Sequence, residues 1–484
     1  MKKMGSVLYI VLCLLISMLP LIGMSVAATH TTTENRRLAE KPVLTKNGGW
    51  NKNYFQEWGA WFEDHFALRT AYVTADSVIL SRIFGISGMK TVIVGSEGWL
   101  YYASTLGDYT GSTTLSQRGI WNVVHNLSVI EDRVEESGAR FLFTVAPNKN
   151  SLYGEHMPYY YRRKCSSIKN MDLLTPALDE YKIPYANLFT EFEKQKEVLY
   201  LKRDSHWNGK GAVLTYNTLL DALQIDHDNF ETVDSVRSKD EYGDLNRMLY
   251  PMLIEPEWNY TYQIGTCYQY VTNTQSVEDV WIETENVTAE GSLLMFRDSF
   301  GNTLLPLLAD TFKNAYFSKS VPYRMEEYLQ LYHPDYVIVE KVERNVDDFA
   351  VDPPIMKGPE RNLYDSVERE VEKKEVTSGK LEVSESEYAP DYWQIRGVLK
   401  QTDRVDTKVY ICVIQDGQSR TYEAFTVSDA ESDYGYVLYL AKADMPSGIV
   451  QIGVITETNE SWCVAEKKIL DMDRLQELDE KTEE

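Results

Sequence analysis

Cysteine is scarce in this chain: five in 484 residues, one of which, Cys13, lies inside an apolar N-terminal run. The remaining four, Cys165, Cys267, Cys412 and Cys463, show no Cys-x-x-Cys spacing, which excludes a zinc-ribbon or dithiol redox motif. Their positions suggest one disulfide in each half, Cys165–Cys267 and Cys412–Cys463, as an exported location would permit. Histidine is equally sparse, seven in all, with no His-Glu-x-x-His, so neither a metal nor another cofactor is expected. Basic charge is in deficit, 49 Lys and Arg against 73 Asp and Glu, for a net charge of −24. Nucleic acid is therefore excluded as a partner, because release of phosphate counterions needs clustered cations. No internal repeat is present, and no second apolar run of spanning length follows residue 28.

What the chain does have is ordinary globular material, 43% hydrophobic and 25% charged residues. At roughly 100–200 residues per domain, the length suggests two or three domains. Lys2 and Lys3 precede an uncharged stretch from Met4 to Ala28 that ends Ser25-Val26-Ala27-Ala28. That pattern reads as a signal peptide or as a retained membrane anchor, and places the rest of the chain outside the membrane, secreted or held at its outer face.

Residues 29–87 read as a helical extension, with Phe55, Trp58, Trp61, Phe62, Phe66 and Leu68 forming a core stripe; His65 reads as a helix-end residue. From 88 to 350, strands alternate with helical segments, the signature of parallel βαβ units in a three-layered α/β domain. Its strands are Phe141–Ala146, Tyr185–Leu188, Leu293–Phe296, Ala315–Phe317 and Tyr336–Val339; its helices are Leu115–Ser137, Asp172–Tyr181, Gly211–Leu223 and Asn302–Phe312. Residues 351–378 form a charged linker. Short alternating runs across 379–472 predict a small all-β sandwich, and 473–484 an acidic tail. In the sandwich, Tyr392 and Trp393 are either a carbohydrate platform or, more commonly for a sandwich Trp, core.

Two segments carry chemistry: Arg203-Asp204-Ser205-His206-Trp207-Asn208-Gly209-Lys210-Gly211, opening a helix, and Phe296-Arg297-Asp298-Ser299-Phe300-Gly301-Asn302, joining a buried strand to a helix. A Ser at a strand-to-helix turn stands at the carboxyl edge of the sheet, where α/β folds bind ligands and where helix amides suit an oxyanion. His206 can activate Ser299, and Asp204 can hold the imidazole tautomer. Singly, each element has a plainer reading: Ser as an N-cap, Asp-x-His-x-x-Gly as a capping turn. It is their coincidence in one fold that points to a nucleophilic serine. Lys149, at a strand end, fits the cleft and a structural role equally; Trp207 fits core packing better than stacking on a sugar.

Together with Trp61–Arg69, Gly95–Tyr102 and Val145–Lys149, these motifs resemble, in order, the exported SGNH hydrolase-like proteins related to alginate O-acetyltransferases, including the Gram-positive proteins named for an Asp-His-His-Trp signature. The resemblance covers roughly residues 50 to 350. It implies catalytic Asp204, His206 and Ser299. Because His206 precedes Ser299 by 93 residues, opposite to the order in common SGNH esterases, it also implies a circularly permuted domain. On that alignment Asn345 or Arg344 would contact substrate or oxyanion. Two departures stand out: Ser205 replaces the second His, and Arg297 replaces the usual Gly, where it would either favour an anionic group or point away.

The resemblance implies an exported O-acetyltransferase that acylates hydroxyls of an extracellular or cell-wall polysaccharide through an acyl-serine, with a membrane-bound O-acyltransferase as acetyl donor. An O-acetyl esterase with the same triad and a non-catalytic wall-polymer binder are the alternatives.

Overall fold

The computed structural model describes residues 37–475 except 47–48, 164–165, 167, 231–234, 263–265, 364–376, 401, 403 and 459–460, together with scattered residues between Val7 and Met24. Most of the N-terminal segment, the acidic run after 475, Cys165 and most of the charged linker lie outside the described residues. Among the described residues, no helix is long and apolar enough to cross a membrane.

The N-terminal region holds helices α1 (Tyr54–His65) and α2 (Arg69–Ile79), followed by the hairpin β1 (Val92–Val94) and β2 (Leu100–Tyr102). His65 ends α1 as expected, its Nδ1 2.8 Å from the Trp61 carbonyl. Next come α3 (Gln117–Glu136), β3 (Arg140–Ala146), α4 (Asn170–Tyr181), β4 (Tyr185–Ala186), α5 (Leu188–Glu193) and α6 (Gly209–Leu223). A hairpin of β5 (Ser235–Glu241) and β6 (Glu257–Tyr262) encloses the short helix α7 (Asp244–Leu249). Then follow β7 (Gln269–Tyr270), β8 (Trp281–Glu285), β9 (Glu290–Phe296), α8 (Leu305–Thr311), β10 (Phe312–Ser318), α9 (Met325–Tyr332) and β11 (Tyr336–Val342).

A seven-stranded sheet runs β4-β3-β11-β9-β10-β8-β7, parallel from β4 to β10, with β8 and β7 added antiparallel. Its central strands are nearly all apolar because helices cover both faces. The alternation is visible residue by residue. Phe141, Phe143, Leu294, Phe296, Val337 and Val339 pack with α3 and α4, whereas Leu142, Leu293, Met295 and Ile338 pack with α6 and α8. The three layers match the expected α/β architecture. Two elements are shorter than the sequence suggests. The strand at Tyr185 ends at Ala186, where Asn187 caps α5, and Ser299 is followed by a single 3₁₀ turn (Phe300–Asn302) before α8 begins.

The turns that leave the carboxyl ends of β3, β9 and β11 lie at one edge of the sheet. They carry Lys149, Ser299 and Arg344 respectively.

The C-terminal region consists of two four-stranded antiparallel sheets. One runs β12 (Thr377–Ser386), β13 (Ala389–Lys400), β17 (Gly435–Ala441), β16 (Phe425–Val427); the other runs β15 (Gln418–Glu423), β14 (Lys408–Gln415), β18 (Ile449–Thr458), β19 (Ser461–Asp471). Side chains from both sheets share one core that includes Trp393, Ile411, Leu438 and Ile452. Trp393 is buried there and Tyr392 packs against the α/β core, so they form no exposed carbohydrate platform. Nor does Cys412 bond Cys463. Cys412 faces Gly453 on β18, Gly453 faces Lys467 on β19, and Cys463 lies one strand further away and out of register. The first part of the expected linker is not a loose tether either. Ile355 and Met356 are buried in the α/β core, and Arg361 N–H bonds the Thr421 carbonyl.

Candidate active site

The acid–histidine loop is built before it is used. Asn208 caps α6, its side chain accepting from Gly211 N–H at 3.1 Å, and so ends the loop at a defined point. Upstream, the ammonium of buried Lys149 meets three carbonyls, those of Leu201 and Lys202 at 3.1 Å and of Asp204 at 2.5 Å. Three N–H donors meet three acceptors, which a lysine ammonium can satisfy in full. Burial pulls the Lys149 ammonium down to about 8, against the opposing pull of Asp204, Asp244 and Glu257. Glu257 on β6 accepts from the Lys202 and Arg203 amides at 2.7 and 3.0 Å.

Within that frame, Asp204 Oδ1 lies 2.7 Å from His206 Nδ1, and His206 Nε2 lies 2.8 Å from Ser299 Oγ. Residues 93 apart in sequence thus form one continuous relay. Asp204 also accepts from its neighbours' amides, His206 N–H on Oδ1 at 2.9 Å and Asp244 N–H on Oδ2 at 2.8 Å. Burial opposes ionisation of Asp204, but the His206 charge, the hydrogen bond to it and the two amides outweigh burial and hold the carboxyl well below its usual range. Burial likewise opposes protonation of His206, yet Asp204, Asp244 and Asp298 together raise its pKa.

The relay has a second carboxylate that the motifs did not reveal. Asp244, first residue of α7, accepts from Ser205 N–H at 2.8 Å and from Ser205 Oγ–H at 2.6 Å. Ser205, which stands where the resemblance leads one to expect a second His, is thus the anchor for Asp244. Only the fold reveals this pair, since the two residues lie 39 apart with no motif linking them. Asp204, His206 and Asp244 bring potential metal-ligand atoms within 4.8 Å of one another. Their carboxylate oxygens, however, already accept from amides, a hydroxyl and the imidazole, so a cation would have to break the bonds that hold the loop.

On the serine side, Asp298 holds the turn rather than the histidine. Its carboxylate accepts from Phe300 N–H and Val342 N–H, both at 2.8 Å, and its own amide donates to buried Glu340 at 3.0 Å. The Phe300 ring packs on His206, centroids 4.7 Å apart. The first amide after Ser299 is therefore already taken, and the short 3₁₀ turn is not the helix N-terminus expected to receive an oxyanion.

The relay opens into a cleft of about 1150 Å³ bordered by Tyr102, Tyr242, Arg247, Tyr260, Asn302 and Arg344 among others. Of the expected substrate contacts, only Arg344 offers an accessible side chain there; its guanidinium sits over the rings of Tyr102 and Phe300. Asn345, on the same turn, does not line the cleft. Trp207 backs the wall but is only 1% exposed, its indole N–H donating to Thr303 Oγ1 at 2.6 Å, so it offers no stacking face. Arg297 points away, buried, with its guanidinium bound to Asn302 Oδ1 and the Val277 carbonyl. Lys149 serves the loop instead of the cleft, for the reason given above.

Part of the chain is similar to known proteins. Residues 92–288 match the family model described as SGNH hydrolase-like domain, acetyltransferase AlgX; Ser299 lies just beyond the match. The chain is 24% identical over 186 residues to the probable alginate O-acetylase AlgJ of Pseudomonas syringae pv. tomato, a match covering 36% of this chain and 42% of that protein. The chain thus spans less than half the length of this curated relative. Among solved structures, Bacillus cereus PatB1 is 18% identical with a TM-score of 0.43, covering 53% of this chain and 96% of that one. A DHHW family protein from Eubacterium siraeum is 14% identical with a TM-score of 0.37, covering 47% and 88%. The segment that carries Asp204 and His206 is thus similar to the SGNH hydrolase-like domain of acetyltransferase AlgX, the family its ordered motifs implied.

Proposed function

We propose that this chain is an exported O-acetyltransferase that transfers acetyl groups to hydroxyls of an extracellular or cell-wall polysaccharide through an acyl-Ser299 intermediate. The observation that carries this reading is the Asp204–His206–Ser299 relay, 2.7 and 2.8 Å per link, at the wall of an open cleft. In the first half-reaction His206 Nε2 takes the Ser299 proton as Oγ attacks the acetyl carbonyl, then returns it to the leaving group. In the second, His206 takes the proton of a sugar hydroxyl that attacks the acyl-serine, and the proton goes back to Oγ as the new ester departs. Asp204 holds Nδ1–H and stabilises the imidazolium. Arg344, at the cleft wall, is the residue we assign to oxyanion or substrate contact. The donor in this reading is a membrane-bound O-acyltransferase, and the uncharged run from Met4 to Ala28 serves as export signal or anchor. The chain order, with the acid and His on the loop before α6 and Ser299 after β9, supports a circularly permuted SGNH domain.

The test is mass spectrometry of the protein after exposure to an activated acetyl ester, with and without an acceptor oligosaccharide. We expect an acetyl adduct on Ser299, absent in Ser299→Ala, and acetylated acceptor when sugar is supplied. Undiminished turnover in Ser299→Ala would sink the proposal. Free acetate alone, even with acceptor present, would move the assignment to an esterase.

A further inference from the structure

The surface beside the cleft holds an apolar face with no role in the relay. The π-helical turn continuing α2 (Leu80–Phe84) and the segment after α7 lie side by side: Tyr250 Oη donates to Ser81 Oγ at 2.7 Å, and Met252 N–H donates to Thr74 Oγ1 at 3.1 Å. Between them they present Ile79, Ile83, Phe84, Met252, Leu253 and Ile254, each between 37% and 70% exposed. No charged residue occurs from Met248 to Ile254, and Arg82, paired with Glu255 at 3.2 Å, is the single charge between Asp76 and Lys90. Soluble surfaces seldom leave this many large apolar side chains together, and such a face needs an occupant.

The adjoining chain indicates which. Gly23, in the uncharged run from Met4 to Ala28, meets the domain at the start of α2, the helix whose far end carries Ile79: it sits so close to Ala67, in the turn between α1 and α2, that a Cβ on it would come within 2.6 Å of the Ala67 Cβ. The described apolar residues of that run, from Val7 to Met18, are themselves largely exposed. One lipid surface would cover both. We propose that Ile79–Phe84 and Met252–Ile254 form a membrane-contact face that seats this end of the molecule on the bilayer beside its apolar N-terminal run. Apolar side chains inserted at the headgroup boundary add buried area to an existing anchor, which alone fixes attachment but not orientation.

Orientation is what this face supplies. Its second half follows directly on α7, whose Arg247 and Met248 line the cleft and whose Asp244 binds the acid–histidine loop. Lipid contact at 252–254 therefore holds the cleft beside the membrane. The catalytic meaning of that placement, a short path from a membrane-embedded acyl donor to Ser299, rests on the acyltransferase reading; the contact itself does not.

The experiment uses the full chain reconstituted in vesicles of phosphatidylethanolamine and phosphatidylglycerol that contain a phospholipid with a diazirine near its headgroup. After irradiation, adducts are mapped by mass spectrometry. Ile449 and Ile469, exposed to similar extent on the β-domain, serve as internal controls. Adducts over 79–86 and 252–254 should exceed those at the controls by about tenfold or more, and Ile83→Asp with Met252→Asp should abolish the excess. Both positions are exposed, so folding is retained; Ser299 should still react with a sulfonyl fluoride at the wild-type rate. Labelling confined to the N-terminal run, equal labelling at Ile449, or a face left unlabelled because a second copy or another protein covers it, each overturns the proposal. A chain that photolabels as expected while Ser299 accepts no acyl group refutes the acyltransferase reading and leaves the membrane face standing.

Discussion

Lys149 and Asp244 do for the relay what Asp204 and His206 cannot do for themselves. Lys149→Met keeps the volume but removes three donors to the loop carbonyls. Charge-assisted bonds are worth about 1.5–3 kcal/mol each, and leaving the carbonyls unpaired adds to the loss, so a destabilisation of about 2–4 kcal/mol is expected by denaturant melts. Asp244→Asn acts through charge. The Asp204, Asp244 and Asp298 carboxylates raise His206, so wild-type kcat/KM should climb with pH on a limb above the ordinary His value of about 6.5. Removing one negative charge lowers the His206 pKa, and the limb should move to lower pH; an unmoved limb would show that Asp244 only braces the loop. The same pair sets a stability window. Held above its ordinary value, His206 adds stability that is full below about pH 6.5 and is lost as pH rises through its raised pKa. Asp204, held below its ordinary value, adds stability present above about pH 3.9 and lost as pH falls through its lowered pKa.

At the scale of elements, α7 meets the acid–histidine loop backbone to backbone. A Cβ on Gly243, the residue before α7, would stand 2.3 Å from the Arg203 carbonyl oxygen and 2.8 Å from the Asp204 nitrogen. Gly243→Ala should therefore push α7 off the loop, break the Asp244–Asp204 and Asp244–Ser205 bonds, and cut acylation of Ser299 by about 10²-fold, as a displacement of about 1 Å at a reacting group can do. Stopped-flow acylation with an activated ester measures it directly. Asn208→Ala removes the α6 cap and should cost about 1 kcal/mol with a far smaller rate effect, since Lys149 and Glu257 still hold the loop.

The two halves of the molecule are joined by buried polar contacts. On α3, Arg118 donates to the carbonyls of Val405 and Thr407, and Asn122 to that of Asp433. Further along the same helix, Asn126 exchanges bonds with Thr426, and His125 Nε2 lies 3.1 Å from Glu423. Glu423 also pairs with Arg361 and Lys408, at 2.8 and 3.2 Å. Burial opposes its ionisation, but His125, Lys408 and Arg361 hold it well below the usual carboxylate range. Its contribution is thus present above about pH 4.3 and lost as pH falls through its lowered value. Glu423→Ala removes the buried partner of His125 and one of the two carboxylates that Arg361 meets, Asp132 being the other, and should cost about 1–3 kcal/mol, read as a lower melting temperature of the whole chain at pH 7. A separate early transition for the β-domain, with the α/β transition unmoved, would show that the halves are only loosely joined.

Local pattern was enough for much of this. Buried strands such as Phe141–Ala146 and Leu293–Phe296 announce themselves as apolar runs, and the Asp204–His206 and Ser299 motifs sit next to capping and strand-end signals that fix their local geometry. What pattern could not show was which polar groups would be covered. Arg118, Asn122, His125 and Asn126 recur at helical spacing, a polar pattern that on a helix ordinarily faces water, yet the β-domain buries them all. Lys149 reads equally as a cleft cation or a structural residue until three carbonyls from a loop 52 to 55 residues away meet it. Asp244 has no motif, and the place of Arg297 in the Ser299 motif leaves open whether it faces the cleft or points away. The sequence by itself determined most of the buried strands and their helices and singled out the side chains we propose to react, because those depend on neighbours along the chain. Only the tertiary structure decided which charges face solvent and which face one another. That depends on desolvation and pairing between segments far apart in the chain, and no local periodicity records it.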